Sequence, residues 1–135
     1  MLTTLRLQRT CLWLYLGSLA LQFYAAGLAI FGVASFMSHA LLGYGLALGA
    51  LILLGLTVGA RLGRRSVALA VGILLLTLAQ PVLAIAARPA APWLAALHPV
   101  VALIIVALAL EIARSTRMAA GRAAPGARPA TGAVA

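Results

Sequence analysis

Long uncharged apolar runs alternate along the chain with short polar breaks. After Arg6 and Arg9 no Asp, Glu, Lys or Arg occurs until Arg61, and from Cys11 to Phe36 nearly every side chain is apolar. A break at Met37-Ser38 precedes a second run from Ala40 to Ala60, closed by the basic turn Arg61-Leu62-Gly63-Arg64-Arg65-Ser66. A third run extends from Val67 to Ala87, and beyond Arg88-Pro89-Ala90-Ala91-Pro92 a fourth reads from Leu94 to Ile112. A membrane helix needs about 20 apolar residues, whereas a barrel strand needs about 10 that alternate with polar ones. The pattern therefore predicts four transmembrane helices at about 11–36, 40–60, 67–87 and 93–113. Joined by short connections, they form an all-α integral membrane four-helix up-down bundle. Residues 1–10 read as a water-exposed N-terminal segment. Residues 115–135, rich in Ala, Gly, Pro and Arg with no apolar period, read as a disordered basic tail.

The first run begins like a secretory signal, and Ser18-Leu19-Ala20 resembles a cleavage site, but the apolar character continues to Phe36. Signal cores are only about 7–15 residues long, so an uncleaved helix is expected. Ser66 is placed to cap the third helix. Pro81 is placed to kink it near Thr77, with Thr77 and Gln80 able to re-satisfy freed backbone groups. Pro92 suits a first helical turn, and Trp93 sits where an interfacial aromatic belongs. Pro99 follows His98, which reads as the cap of the fourth helix.

Composition agrees with a lipid environment. Of 135 residues 65% are hydrophobic and 8% charged, and the mean hydropathy is +1.16. A soluble domain carries about 25% charged residues and cannot hide this much apolar surface at this length. The net charge of +9 would suggest nucleic acid in a soluble protein. Here the basic residues flank apolar runs, so topology explains them, together with contact to anionic lipid heads, and no nucleic-acid partner is expected. All the basic residues are arginine, alongside abundant Ala, Leu and Gly, the usage of a GC-rich bacterial genome. Arg6, Arg9, Arg61, Arg64, Arg65, Arg114, Arg117, Arg122 and Arg128 fall on one side of the bilayer and only Arg88 on the other. The positive-inside rule then places both termini in the cytoplasm of a multi-pass bacterial inner-membrane protein. Cys11 is the only cysteine, so no intrachain disulfide can form, and a buried, inert thiol is expected.

Candidate chemistry is concentrated in the two histidines. His39 opens the second helix and His98 the fourth, both on the expected outer side. The two halves of the chain echo each other: Gln22 precedes His39 by 17 residues and Gln80 precedes His98 by 18. Parallel repeats of this kind are related by an axis along the membrane normal. In an up-down bundle the second and fourth helices are diagonal, so the imidazoles would face each other across the centre. One turn below each histidine lies a small residue, Gly43 or Ala102, which would leave a slot on the same helical face. Two neutral imidazoles on opposite sides of a flat macrocycle make a six-coordinate haem iron, suited to electron transfer. This makes His39 and His98 candidate metal ligands, and His39, His98, Gly43 and Ala102 candidate contacts of one haem b. Gln22 and Gln80 are candidates for interhelical bonding or for contact with a cofactor or quinone. Glu111, the only acid, lies one turn before Arg114 and reads as a local ion pair.

The segments Gln22-Phe-Tyr-Ala-Ala-Gly-Leu-Ala-Ile-Phe-Gly, Ser38-His-Ala-Leu-Leu-Gly-Tyr and Leu97-His-Pro-Val-Val-Ala-Leu-Ile resemble a family of uncharacterised four-helix bacterial membrane proteins, over about residues 12–114. More distantly the layout is similar to the haem bundles of cytochrome b561 and haem A synthase. That resemblance implies axial ligation by His39 and His98 and a redox partner or quinone.

Two other classes stay open. One is a non-catalytic membrane subunit or scaffold in which the histidines only cap helices. The other is a small transporter, which the absence of any acid deep in the apolar runs disfavours. No phosphate-binding glycine loop, zinc-ligand spacing or hydrolase motif occurs. The orientation is directly testable: a green fluorescent reporter fused to either terminus should fluoresce, and a periplasm-dependent phosphatase at the same positions should be inactive. Phosphatase activity at one terminus would mean an odd number of crossings.

Overall fold

A computed structural model describes residues 2–86, 89 and 91–123. Helix α1 spans Leu2–Ile30, α2 Phe36–Gly59 and α3 Arg64–Pro81, which continues as one π-helical stretch over Val82–Ala86. A short α4, Pro92–Ala95, leads into α5, Leu97–Ala123. Helix α1 packs on α2, α2 on α3 and α3 on α5, and α1 closes the ring against α5. The diagonals are therefore α1 with α3, and α2 with α5. Four helices are long and apolar enough to cross a membrane, and the described residues contain no strand.

The core is one continuous seam. Leu5, Gln8, Leu12, Tyr15 and Leu19 of α1 are buried, as are Leu46, Ala50, Leu53, Thr57 and Ala60 at the end of α2. Ser66, Ala70, Ile73 and Thr77 of α3 and Ile105, Ala109, Ile112 and Thr116 of α5 complete it. These positions step by three and four residues alternately, the spacing of a left-handed bundle. Outside the seam, apolar side chains face away from the protein: Leu14 is 68% exposed, Leu75 61% and Leu103 61%. Only a hydrocarbon solvent tolerates such a surface, so the chain is an integral membrane protein.

The internal repeat runs the length of the bundle, at a constant offset within each pair of corresponding helices. Gln8, Leu12, Tyr15, Leu19 and Gln22 of α1 correspond to Ser66, Ala70, Ile73, Thr77 and Gln80 of α3. His39, Gly43, Leu46, Ala50, Leu53 and Thr57 of α2 correspond to His98, Ala102, Ile105, Ala109, Ile112 and Thr116 of α5. The paired threonines behave alike: Thr57 Oγ1 donates to Leu53 O at 2.7 Å and Thr116 Oγ1 to Ile112 O at 2.9 Å.

Several local expectations need correction. Helix α1 starts at Leu2 rather than at about residue 11, because the seam extends down to Leu5 and Gln8, which pack inside the bundle. It stops at Ile30, short of 36. Gly32, at φ 72°, ends it in a Schellman turn, with Val33 N donating to Leu28 O at 2.8 Å and Gly32 N to Ala29 O at 3.2 Å. The α2–α3 turn repeats this geometry with Arg61, a non-glycine at φ 52°. The N-cap of α3 is Gly63, at φ 89°, and Ser66 is buried inside the helix. Residues 115–123 belong to α5 and not to a tail, because Thr116 is a seam residue and anchors there. Residues 124–135 and Arg88 lie outside the described residues. Past Pro81, which cannot donate a backbone hydrogen bond, the helix widens into the π stretch. Thr77 Oγ1 donates to Ile73 O at 2.7 Å. His98 lies inside the first turn of α5, with Pro99 following in that turn.

Two polar pairs cross the seam. Tyr15 Oη and Thr77 Oγ1 bond at 2.9 Å, joining α1 to α3, and the single hydroxyl proton of Thr116 is shared between Ile112 O and Gln8 Oε1, the latter at 3.0 Å and joining α5 to α1. Interhelical bonds in membranes contribute about 0.6 kcal/mol on average. Tyr15→Phe should therefore destabilise by less than about 1 kcal/mol, since Thr77 keeps its bond to Ile73. Gln8 Nε2 is buried with no partner among the described residues, so Gln8→Leu should be neutral or stabilising. Denaturant titration in detergent reads both, and a Gln8→Leu loss larger than that of Tyr15→Phe would contradict the assignment.

Candidate functional site

The seam continues beyond its apolar layers to one end of the bundle, the end opposite the arginine-rich α2–α3 turn. There its positions are Gln22, His39, Gln80 and His98, one from each long helix, with Gly43 and Ala102 one turn further in. The same three-four spacing that buries Leu12 and Leu53 thus turns two imidazoles and two amides toward the axis. The structure brings together every candidate residue, and sets the two imidazoles on the α2–α5 diagonal. Their ring centres are 5.9 Å apart with an interplanar angle of 63°. Both histidines are half-buried.

Each histidine is tied to the glutamine of its own half. His39 Nδ1 lies 3.2 Å from Gln22 O, and His98 Nδ1 lies 3.3 Å from Gln80 O. A carbonyl can only accept, so a ring bonded in this way carries its proton on Nδ1 and presents the Nε2 lone pair. The glutamine side chains add a second tie. Gln22 Nε2 donates to His39 O at 2.8 Å. With its amide turned so that both ends are satisfied, Gln80 Nε2 donates to His98 O at 3.2 Å while Oε1 accepts from Ala102 N at 3.1 Å. In that orientation Gln80 Nε2 also donates to His98 Nδ1 at 2.6 Å, so the orientation of the Gln80 amide and the tautomer of His98 are coupled: Nδ1 either accepts from the amide or donates to Gln80 O.

The small residues take on a definite role. A Cβ at Gly43 would lie 3.2 Å from Gln22 Nε2, so the space over Gly43 seats the amide of Gln22. Ala102 lies beneath Gln80 in the equivalent place. Gln22 Oε1 is buried without a hydrogen-bond partner among the described residues. Gln22 Nε2 also stands 3.5 Å from His39 Nε2, whereas His98 Nε2 has no partner among the described residues. Phe36 packs edge-on to His39, with ring centres 6.3 Å apart. Among the described residues no cluster of three or more His, Cys, Asp or Glu side chains could hold a metal ion, so any metal here would rest on the two imidazoles.

Residues 22–88 of the chain, just under half of it, match the model of a family of unknown function, DUF6220. The match takes in Gln22, His39, Gly43 and Gln80. No curated protein and no solved structure matches the chain. With its four apolar helices, the chain fits an uncharacterised family of four-helix membrane proteins.

At the opposite end Glu111 forms the expected pair with Arg114, at 3.1 Å, and a second with Arg65 of α3, at 2.9 Å. Both arginines are exposed, so the pairs add little stability. Arg117 stacks over Trp13 at 5.9 Å. Cys11 is half-buried beside the core. The sequence reading missed Gln8, Tyr15 and Arg65 as polar bridges. Gln8, Tyr15 and Gln22 are spaced one heptad apart, and that spacing was the available signal. Gly45, near the site but outside it, lines an open groove of about 650 Å³ between α1 and α2, and a Cβ there meets nothing within 4 Å. Gly43→Leu should accordingly cost about 1–3 kcal/mol by displacing Gln22, and Gly45→Leu close to nothing, as read by thermal unfolding in detergent. Equal effects would show that Gln22 does not occupy the space over Gly43.

Proposed function

We propose that the protein holds one b-type haem between His39 and His98 and passes electrons near the outer face of the membrane. The observation that carries this reading is the facing pair of imidazoles on the α2–α5 diagonal. A metal–imidazole bond is about 2 Å long, so two rings on opposite sides of one metal hold their centres about 6 Å apart. The 5.9 Å separation of His39 and His98 agrees with that. Ligating histidines commonly donate their other ring N–H to a carbonyl, which fixes the ring and raises its basicity. Gln22 O and Gln80 O supply such partners. The Gln22 amide, whose Oε1 has no partner among the described residues, stands 3.5 Å from His39 Nε2 and turns aside when a ligand takes that nitrogen.

In this reading the haem supplies reversible one-electron chemistry, and a doubly ligated iron has no free position for oxygen chemistry. The protein's own work is placement. His39 and His98 bind from opposite helices, their carbonyl partners hold the rings, and the apolar layers of Leu19, Leu46 and Ile105 exclude water from the inner side. A single site near one face exchanges electrons with a redox protein or quinone at that face. The likeness to cytochrome b561 and haem A synthase bundles is part of the same proposal.

A scaffold reading also has an observation in its favour: both ring nitrogens of His39 find partners on Gln22, as a structural clasp would. Purification after haem-replete expression separates the two. The haem reading expects a Soret band with a sharp reduced α-band, both lost when His39→Ala and His98→Ala are combined. A wild-type protein without a Soret band, or a double variant that keeps one, would leave the clasp.

A further inference from the structure

The arginine-rich end of the bundle holds a second arrangement, at the α2–α3 turn. Arg61, Arg64 and Arg65 all lie there. Of the three, Arg65 has a carboxylate partner: Glu111, the one acidic side chain of the chain, pairs with it at 2.9 Å and with Arg114 at 3.1 Å. Arg61 and Arg64 have no carboxylate partner among the described residues. These two line an open cavity of about 400 Å³ together with Val58, Gly63 and Val67. One wall is thus cationic without a counter-ion, and the other is apolar. Val58 is 54% exposed on the lipid-facing side of α2. The backbone adds an independent observation. Arg61 is the one non-glycine residue in the left-handed region among the described residues, at φ 52°. The matching position after α1 is Gly32, at φ 72°, and both close a turn of the same hydrogen-bond pattern. A left-handed backbone is unfavourable for a residue with a Cβ, and glycine is usual there. Folding alone favours glycine at position 61, so the guanidinium is what arginine brings to the turn.

We propose that Arg61 and Arg64 form a binding site for the phosphate of an anionic phospholipid. A guanidinium presents a planar fork of donors that matches phosphate oxygens, and two forks can share one phosphate. The turn joins the ends of two membrane-crossing helices, which sets it at the depth of lipid headgroups. Val58 and Val67 continue the cavity into the apolar surface, where the acyl chains of the same lipid lie. That wall selects a lipid phosphate over a free one. A zwitterionic lipid carries its own cation beside the phosphate, so it gains less from the arginine pair. Arg6 and Arg9 of α1 carry the same charge at the same end of the bundle, but neither lines the cavity. They separate a built site from diffuse attraction to an anionic surface. The site lies at the opposite end from the histidines and does not depend on the haem reading.

The test uses the full chain in detergent micelles doped with phosphatidylglycerol or phosphatidylcholine, with retained lipid counted by native mass spectrometry. Wild type should retain phosphatidylglycerol in preference to phosphatidylcholine. Arg61→Gly combined with Arg64→Gln should retain phosphatidylglycerol about tenfold less well. Arg6→Gln combined with Arg9→Gln removes the same charge and should change retention less than about twofold. Arg61→Gly alone should move two readouts in opposite directions. It should raise the thermal unfolding midpoint in lipid-free detergent, because glycine accepts the left-handed turn, and weaken phosphatidylglycerol retention by about fivefold. Inorganic phosphate at millimolar concentration should leave the lipid bound. Equal losses in the two double variants would show diffuse attraction and overturn the proposal. Displacement by inorganic phosphate would assign the arginine pair to a free anion and overturn it as well. So would a wild type without preference for phosphatidylglycerol, or an Arg61→Gly protein that retains this lipid as wild type does.

Discussion

A polar group inside a lipid-facing bundle has no water to turn to, and this constraint governs where every polar side chain of the seam points. Thr57, Thr77 and Thr116 each return their hydroxyl to the carbonyl one turn back, so they can occupy core positions of helices that stay helical. Tyr15 finds Thr77 across the bundle and Gln8 finds Thr116. At the far end, two glutamines take two histidines. Beneath that end the layers are dry: Leu12, Leu53, Ile73, Ile105 and Ile112 are fully buried and pack across the axis. A path along the axis would have to cross those layers.

The repeat converts one local solution into a facing pair. A single hairpin ties a histidine to the glutamine of the preceding helix and points the ring at the hairpin's apolar face. A second hairpin of the same sense, related about the bundle axis, brings a second ring to the same level from the opposite side. The ring separation of 5.9 Å thus follows from helix packing and register. Neither histidine needs an acid or a cation nearby to hold it, and the only acid of the chain lies at the other end.

The fold was legible because hydropathy and length decide it. Four apolar runs of membrane-crossing length leave little choice of architecture, and the Gln–His echo already pointed to the diagonal pair. Helix ends were less legible, since polar residues such as Gln8 and Thr116 extend the seam past the charge-free segments, and only their mutual bond shows why. The surroundings of Gly43 were not legible for a related reason. A small residue marks space without naming what fills it, and here that space seats the Gln22 amide. The Tyr15–Thr77 bridge joins residues 62 positions apart, a pairing that periodicity can place in one layer but cannot assign.

Duplication also makes departures from symmetry informative. The two halves differ in one respect: one amide is fully bonded, and the other has a buried oxygen without a partner among the described residues. The Gln80 arrangement shows that full satisfaction is available in this geometry, through the amide N–H of the residue one turn after the histidine. Gly43 offers the same backbone group in the first half, yet Gln22 directs its nitrogen toward the histidine and leaves its oxygen orphaned. An unsatisfied buried acceptor costs about 1–3 kcal/mol. A cost of that size falls on one half only, so the two glutamine clasps are unequal although the helices that carry them match position for position.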